Sequence, residues 1–166
     1  MEKERQTIFL YTDGAASPNP GPGGYGVILR CGGREKEMSG GFVFTTNNRM
    51  ELLAVIVGLE AIRWKNAVVE VYSDSSYVVN AVNEGWLSGW ERKGWKKVMN
   101  PDLWQRFLAV YRLHRVKFHW LKGHAGHPEN ERCDALAVAA AAGTGLLHDE
   151  VYELTAKGGE TLFDFE

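Results

Sequence analysis

The chain has 166 residues, 45% of them hydrophobic and 24% charged, with a formal net charge of −2. That length suits one domain with its own core, and the composition is that of an ordinary globular protein. No apolar run approaches the roughly 20 residues that span a bilayer, and the slightly acidic balance excludes a uniformly basic surface for nucleic acid.

The charged start, Met1 to Gln6, lacks the apolar stretch of a signal peptide. A cytoplasmic protein is therefore expected, with Cys31 and Cys133 kept as thiols because two cysteines make no disulfide framework. Cys133, beside Asp134, reads as a small buried residue.

Ile8 to Asp13 alternates Phe9 and Tyr11 against Ile8, Leu10 and Thr12 and predicts a strand. Ser17 to Gly24 is a loop punctuated by proline and glycine. Tyr25 to Cys31 and Glu35 to Phe44 follow as strands joined by a Gly32-Gly33 turn, the second with a bulge expected at Gly40-Gly41. Short connections make these three an antiparallel meander.

Thr46 and Asn47 precede a helix whose apolar face is Leu52, Val55, Ile56, Leu59 and Ile62. Val68 to Ser73 is a short strand, and Ser75 can cap a helix running to Val82. Leu103, Trp104, Phe107, Leu108 and Tyr111 mark another amphipathic helix, Val116 to Leu121 a fifth strand, and Pro128 to Ala142 a last helix. The order βββ-α-β-α-α-β-α predicts an α/β fold: a mixed five-stranded sheet, antiparallel meander plus parallel βα units, with helices on both faces. Residues 1–142 form the expected domain. Residues 143–166 shift to Gly, Thr and acids and read as an extension that docks only in part.

Four carboxylates stand where these elements meet one edge of the sheet. Asp13 and Asp74 end strands, while Glu51 and Asp134 lie in the first turns of helices. Any one of them could be a helix cap, but jointly they occupy the edge at which such sheets build their sites. Clustered carboxylates repel unless cations neutralise them, and an all-oxygen set suits Mg²⁺ or Mn²⁺ rather than zinc. The residues thus point to two-metal hydrolysis of a phosphate ester. A carboxylate pair acting on sugars fits less well, because no aromatic sugar platform stands beside each acid.

Gly21-Pro22-Gly23-Gly24-Tyr25-Gly26 matches the dinucleotide pattern, yet a strand and not a helix follows it, so its glycines serve a turn or close approach to a ligand. His124, His127 and Cys133 are one ligand short of a structural zinc site. His124, in a Gly-flanked loop, suits proton transfer, whereas His127 reads as a surface residue. Trp86, Trp90 and Trp95 interleave with Arg92, Lys93, Lys96 and Lys97, a mixture that suits sugar–phosphate backbones and also anchors a projecting helix. Arg112, Arg115, Lys117 and Lys122 make a second basic cluster.

The segments Thr12-Asp13-Gly14, Asn19 to Gly24, Thr45 to Leu52, Asp74-Ser75, Trp90 to Trp95 and Lys122 to Asp134 occur in the order found in bacterial ribonuclease HI. The chain resembles that family from about Ile8 to Ala142. The resemblance implies a ribonuclease H-like fold and an endonuclease that cuts the RNA strand of RNA–DNA hybrids, leaving 5′-phosphate and 3′-hydroxyl ends. It implies that Asp13, Glu51, Asp74 and Asp134 hold two Mg²⁺ ions, with Mn²⁺ as substitute, and that His124 assists proton movement or product release. It further implies hybrid contacts from Asn19, Asn48 and Ser76, a DNA-phosphate pocket at Thr46 and Asn47, and contacts from Trp86, Trp90, Arg92, Lys93, Lys96 and Lys97. A monomer is expected, and the tail Thr161 to Glu166 is left open between edge packing, a partner contact and a loose end. A hybrid-binding module without catalysis, an integrase-like enzyme and an exonuclease are the competing readings.

Two departures from the family pattern stand out. Ser76 is shorter than the Gln or His that many relatives carry there, and Lys96 to Leu103 is a shorter, less cationic segment than theirs. The trimmed projection predicts weaker hybrid affinity and a shallower fall of log affinity with log salt, with chemistry intact. Hybrid binding across a salt series checks this; a slope as steep as that of a relative with the full projection contradicts it.

Overall fold

The computed structural model describes residues 6–122 and 126–156. In chain order these form β1 (Ile8–Ala16), β2 (Gly21–Cys31), β3 (Arg34–Thr45), α1 (Asn47–Glu60), β4 (Val68–Ser73), α2 (Ser76–Asn83), α3 (Trp86–Arg92), α4 (Pro101–Tyr111), β5 (Arg115–Trp120) and α5 (Pro128–Ala141). A further helical stretch covers 150–156. The five strands make one sheet in the order β3-β2-β1-β4-β5, antiparallel from β3 to β1 and parallel from β1 to β5. The expected mixed sheet with helices on both faces is what the chain forms. No described helix is long and apolar enough to cross a membrane.

Helix α1 packs on β1 and β2 and is covered on its other side by α4, while α5 packs on β1, β2 and β3. Being enclosed, α1 is buried well beyond one face: Met50, Leu53 and Ala54 are buried together with Leu52, Val55, Ile56 and Leu59. The single-face expectation is corrected by this second layer, and Ile62 lies past the helix end. The core between α1, α4 and the sheet includes Leu10, Val69, Val71, Trp104, Phe107 and Phe118.

Three local expectations shift. The register irregularity lies between Gly21 and Gly23, opposite Phe42 and Thr45, and Gly40 and Gly41 stay paired with Tyr25 and Gly24. Gly41 cannot bulge freely because α5 lies directly on it, so close that a Cβ would overlap the Ala140 carbonyl. Strand β2 begins at Gly21 rather than Tyr25, since Gly23 and Gly24 pair with Ala16 and Ala15 of β1. Helix α3 is an additional short element, held by Trp90 edge-on to the buried Trp104 with ring centroids 5.7 Å apart.

The glycine run has two uses: a Cβ on Gly24 or Gly26 would overlap the Ala137 or Cys133 carbonyl of α5, whereas one on Gly21 would overlap the Pro18 carbonyl in the loop before β2. Cys133 is fully buried, and burial pushes its thiol up to about 12, which keeps it unreactive.

The start of α1 is fixed by charge. Arg49, 3% exposed, donates to Asp149 at 2.7 and 2.8 Å and to Asp102 at 2.9 and 2.7 Å. The Thr45 hydroxyl donates to Asp149 at 2.7 Å, and Leu147 bridges to Phe42. One buried guanidinium therefore joins the end of β3, the starts of α1 and α4, and the chain beyond α5.

Removing the Asp149 carboxylate from a buried pair costs about 3 kcal/mol, and Asp149→Ala is expected to lose about that much in urea unfolding. Burial pushes the Asp102 carboxyl up, but the Arg49 hydrogen bonds and charge more than offset this and leave it below its ordinary value. Its contribution is then present above the ordinary carboxylate range and lost as pH falls through the lowered value. Asp102→Asn should be less stable than wild type at neutral pH, with the gap closing on acidification; a gap independent of pH contradicts the assignment.

Candidate active site

The parallel pairing of β1 with β4 ends at Tyr11 and Tyr72, but β1 runs on to Ala16 against β2. Asp13 is thus not at the end of its strand, as expected, but at the point where its two neighbours part. Asp74 follows Ser73, the last residue of β4. Its backbone is held on three counts. Ser75 N donates to Ser73 Oγ at 3.1 Å, Ser75 Oγ caps α2 through Val78 N, and Trp120 Nε1 donates to the Asp74 carbonyl at 3.2 Å.

Glu51 arrives from the second turn of α1, whose cap is Thr46, accepting from Arg49 N at 3.1 Å. Here the helix lies hard against β1, where a Cβ on Gly14 would overlap the backbone of Met50 and Glu51. Only glycine lets strand and helix close to this distance. Oxygens of Asp13, Glu51 and Asp74 consequently lie within 4.8 Å of one another. Asp134, from the second turn of α5, lines the same cleft of about 370 Å³, together with Asn48 and Ser76.

Asp13 is 3% and Glu51 9% exposed, and no donor among the described residues reaches Glu51 Oε1. Burial, then the charges of Asp13 and Asp74, push the Glu51 carboxyl well above its ordinary value. Acids crowded in this way, with oxygen as the only donor atom, fit a hard divalent cation such as Mg²⁺ or Mn²⁺.

The other expected site residues divide by place. Asn48 and Ser76 reach the cleft. Asn47 lines it too, but its Oδ1 accepts from Ala16 N at 2.5 Å while its N–H donates to Asn19 Oδ1 at 3.1 Å. Asn19 and Thr46 thereby shape the loop and the helix start. Trp86, Trp90, Arg92, Lys93, Lys96 and Lys97 are absent from the cleft lining. The four cations are exposed on and after α3, and the Trp86 ring is tilted against Trp90 with centroids 6.2 Å apart. Arg112, from the second basic cluster, pairs with Glu91 at 2.6 Å. His124 lies outside the described residues, as does the tail Thr161 to Glu166.

Two residues that touch the site were not singled out from sequence: Trp120, bonded to the Asp74 carbonyl, and Asn130, buried on α5. A polar Asn at the i−4 position from Asp134, on the side of α5 that also carries Cys133 and Ala137, was the available signal.

A family model described as RNase H matches residues 5–142. The ribonuclease H of Desulforamulus reducens is 60% identical over 139 residues, covering 81% of this chain and 87% of that protein. The crystal structure of LC9-RNase H1, a type 1 RNase H with the type 2 active-site motif, is 30% identical with a TM-score of 0.75, covering 94% of this chain and 83% of that one. That of LC11-RNase H1 in complex with RNA/DNA hybrid is 27% identical with a TM-score of 0.55, covering 82% and 97%.

A Glu whose folded pKa is raised destabilises the fold as pH rises from its unfolded value toward the folded one, because the unfolded chain releases the proton first. Glu51→Gln is therefore expected to raise the melting temperature of the metal-free protein by a few degrees at about pH 8 and to match wild type at about pH 4. Calorimetry in chelator checks this; an equal difference at both pH values contradicts it.

Proposed function

The chain belongs to the ribonuclease H family, and on that premise we propose that it is a metal-dependent endonuclease hydrolysing the RNA strand of RNA–DNA hybrids. The observation that carries this reading is the cluster of Asp13, Glu51 and Asp74 oxygens within 4.8 Å, in a cleft also lined by Asp134. A module that only binds hybrids gains nothing from acids set against phosphates.

Asp13, Glu51, Asp74 and Asp134 would hold two Mg²⁺ ions, with Mn²⁺ able to replace them. When bound, such ions supply the charge that activates an attacking water and stabilises the leaving oxygen. Cleavage of the P–O3′ bond leaves a 5′-phosphate and a 3′-hydroxyl. Burial and its two acidic neighbours raise the Glu51 carboxyl well above its ordinary value, so a bound cation would favour its ionised form.

Asn48 and Ser76, in the cleft, would contact the hybrid at the cut, where Ser76 offers a short reach. Thr46 and Asn47 would form a DNA-phosphate pocket at the start of α1, and Asn19, which accepts from Asn47 N, would contact the hybrid beside it. Arg92, Lys93, Lys96 and Lys97 would hold the flanking duplex beside Trp86 and Trp90, and His124 would move protons or aid release. Requiring 2′-hydroxyls on one strand and a deformable DNA partner selects hybrids over either pure duplex. We place the protein in the cytoplasm, acting as a monomer.

The direct test is cleavage of labelled RNA in a hybrid, with and without Mg²⁺, by wild type and Asp13→Asn. Internal cutting confined to the hybrid's RNA and dependent on metal is expected, with a loss of about a hundredfold or more in the variant. Body-labelled against end-labelled RNA separates internal from terminal cutting. Binding without cutting in either Mg²⁺ or Mn²⁺ would falsify the catalytic reading and leave a hybrid-binding module.

A further inference from the structure

Asn130 is 2% exposed and sits in the first turn of α5, four residues before Asp134. Its Nδ2 donates to two main-chain carbonyls at once, Thr12 O and Tyr72 O, each at 3.3 Å. Thr12 immediately precedes Asp13, and Tyr72 stands two residues before Asp74. The register places this bridge where β1 and β4 cease to pair, at the Tyr11–Tyr72 rung.

The chemistry of the bridge admits one orientation. Carbonyl oxygens only accept, so the amide NH₂ must face them, one hydrogen to each. Asn130 Oδ1 is then left without a hydrogen-bond partner among the described residues. A buried amide with an unmet oxygen is a net burden on stability, which an apolar side chain of similar size would avoid. What only the amide supplies is a pair of donors spanning two strands from a helix.

We propose that Asn130 is a positioning residue that ties the carriers of Asp13, Asp74 and Asp134 to one another and so fixes the spacing of the cluster. The inference rests on the metal-site reading given under Proposed function. Asn130 touches neither a metal nor a reacting atom. It acts by holding β1, β4 and α5 in the one arrangement in which their carboxylates converge. An Asp at this position would set carboxylate oxygens against both carbonyls, and an Ala would leave α5 without this tie to the two strands.

The test uses Asn130→Ala, with Asn130→Asp as a second variant and Val110→Ala as a destabilised control in α4, distant in sequence and element from the cluster. Each is assayed well below its measured melting temperature. Mn²⁺ binding is followed by electron paramagnetic resonance without substrate, and kcat and KM are measured on an RNA–DNA hybrid. Loss of a residue that orients metal ligands typically costs about tenfold or more in affinity or rate. Asn130→Ala is expected to weaken Mn²⁺ binding and lower kcat on that scale, with KM little changed, while Val110→Ala keeps both. If Mn²⁺ affinity or kcat of Asn130→Ala stays within about twofold of wild type, well short of that scale, the positioning role is overturned. A wild-type protein that neither binds Mn²⁺ nor cuts hybrid would instead sink the metal-site reading beneath it.

Discussion

Carboxylates from β1, α1 and the end of β4 repel one another at the spacing found here, with oxygens within 4.8 Å and two of the groups nearly buried. Left to themselves these side chains would separate or take up protons, and the raised pKa of Glu51 records that tendency. The arrangement is imposed by the backbone, which brings the carriers of these acids together at one cleft. Much of what is unusual in the packing serves that constraint.

The confinement is built from close backbone contact. Gly14 lets α1 settle onto β1, and Gly26 with Gly41 lets α5 settle onto β2 and β3, at distances that no other residue allows. Arg49, two residues before Glu51, clamps the α1 start between Asp102 and Asp149. Asn130 reaches from the opposite face to the carbonyls beside Asp13 and Asp74. Helices on both faces of the sheet are thus pinned at the same edge. That edge lies where β1 loses its parallel neighbour β4 and continues against β2 alone.

A chain with net charge −2 that acts on a polyanion must concentrate its cations locally. Arg92, Lys93, Lys96 and Lys97 are exposed together around a short helix whose Trp90 is turned inward against Trp104, with the exposed Trp86 leaning on Trp90. The aromatic residues therefore anchor the basic segment, and the cations stay available. Arg112 differs, because its pairing with Glu91 braces α3 against the end of α4.

Apart from the short α3, the element order was legible in the chain, and so were the four carboxylates as candidates, because both depend on local signals: alternation in strands, periodicity in helices, capping at Thr46 and Ser75, and acids near the ends of apolar runs or in the first turns of helices. The turn at Gly21 was legible, but the role of Gly24 and Gly26 was not, because it lies more than a hundred residues away in the carbonyls of α5. The Arg49 clamp escaped notice for the same reason: Asp102 and Asp149 follow it by 53 and 100 residues. So did Asn130, whose partners Thr12 and Tyr72 precede it by 118 and 58. Sequence by itself determined the family and the identity and local setting of each acid, since these are written within a few residues. Tertiary structure alone decided how closely the acids approach and what holds them there, because contacts between distant segments leave no periodic trace along the chain.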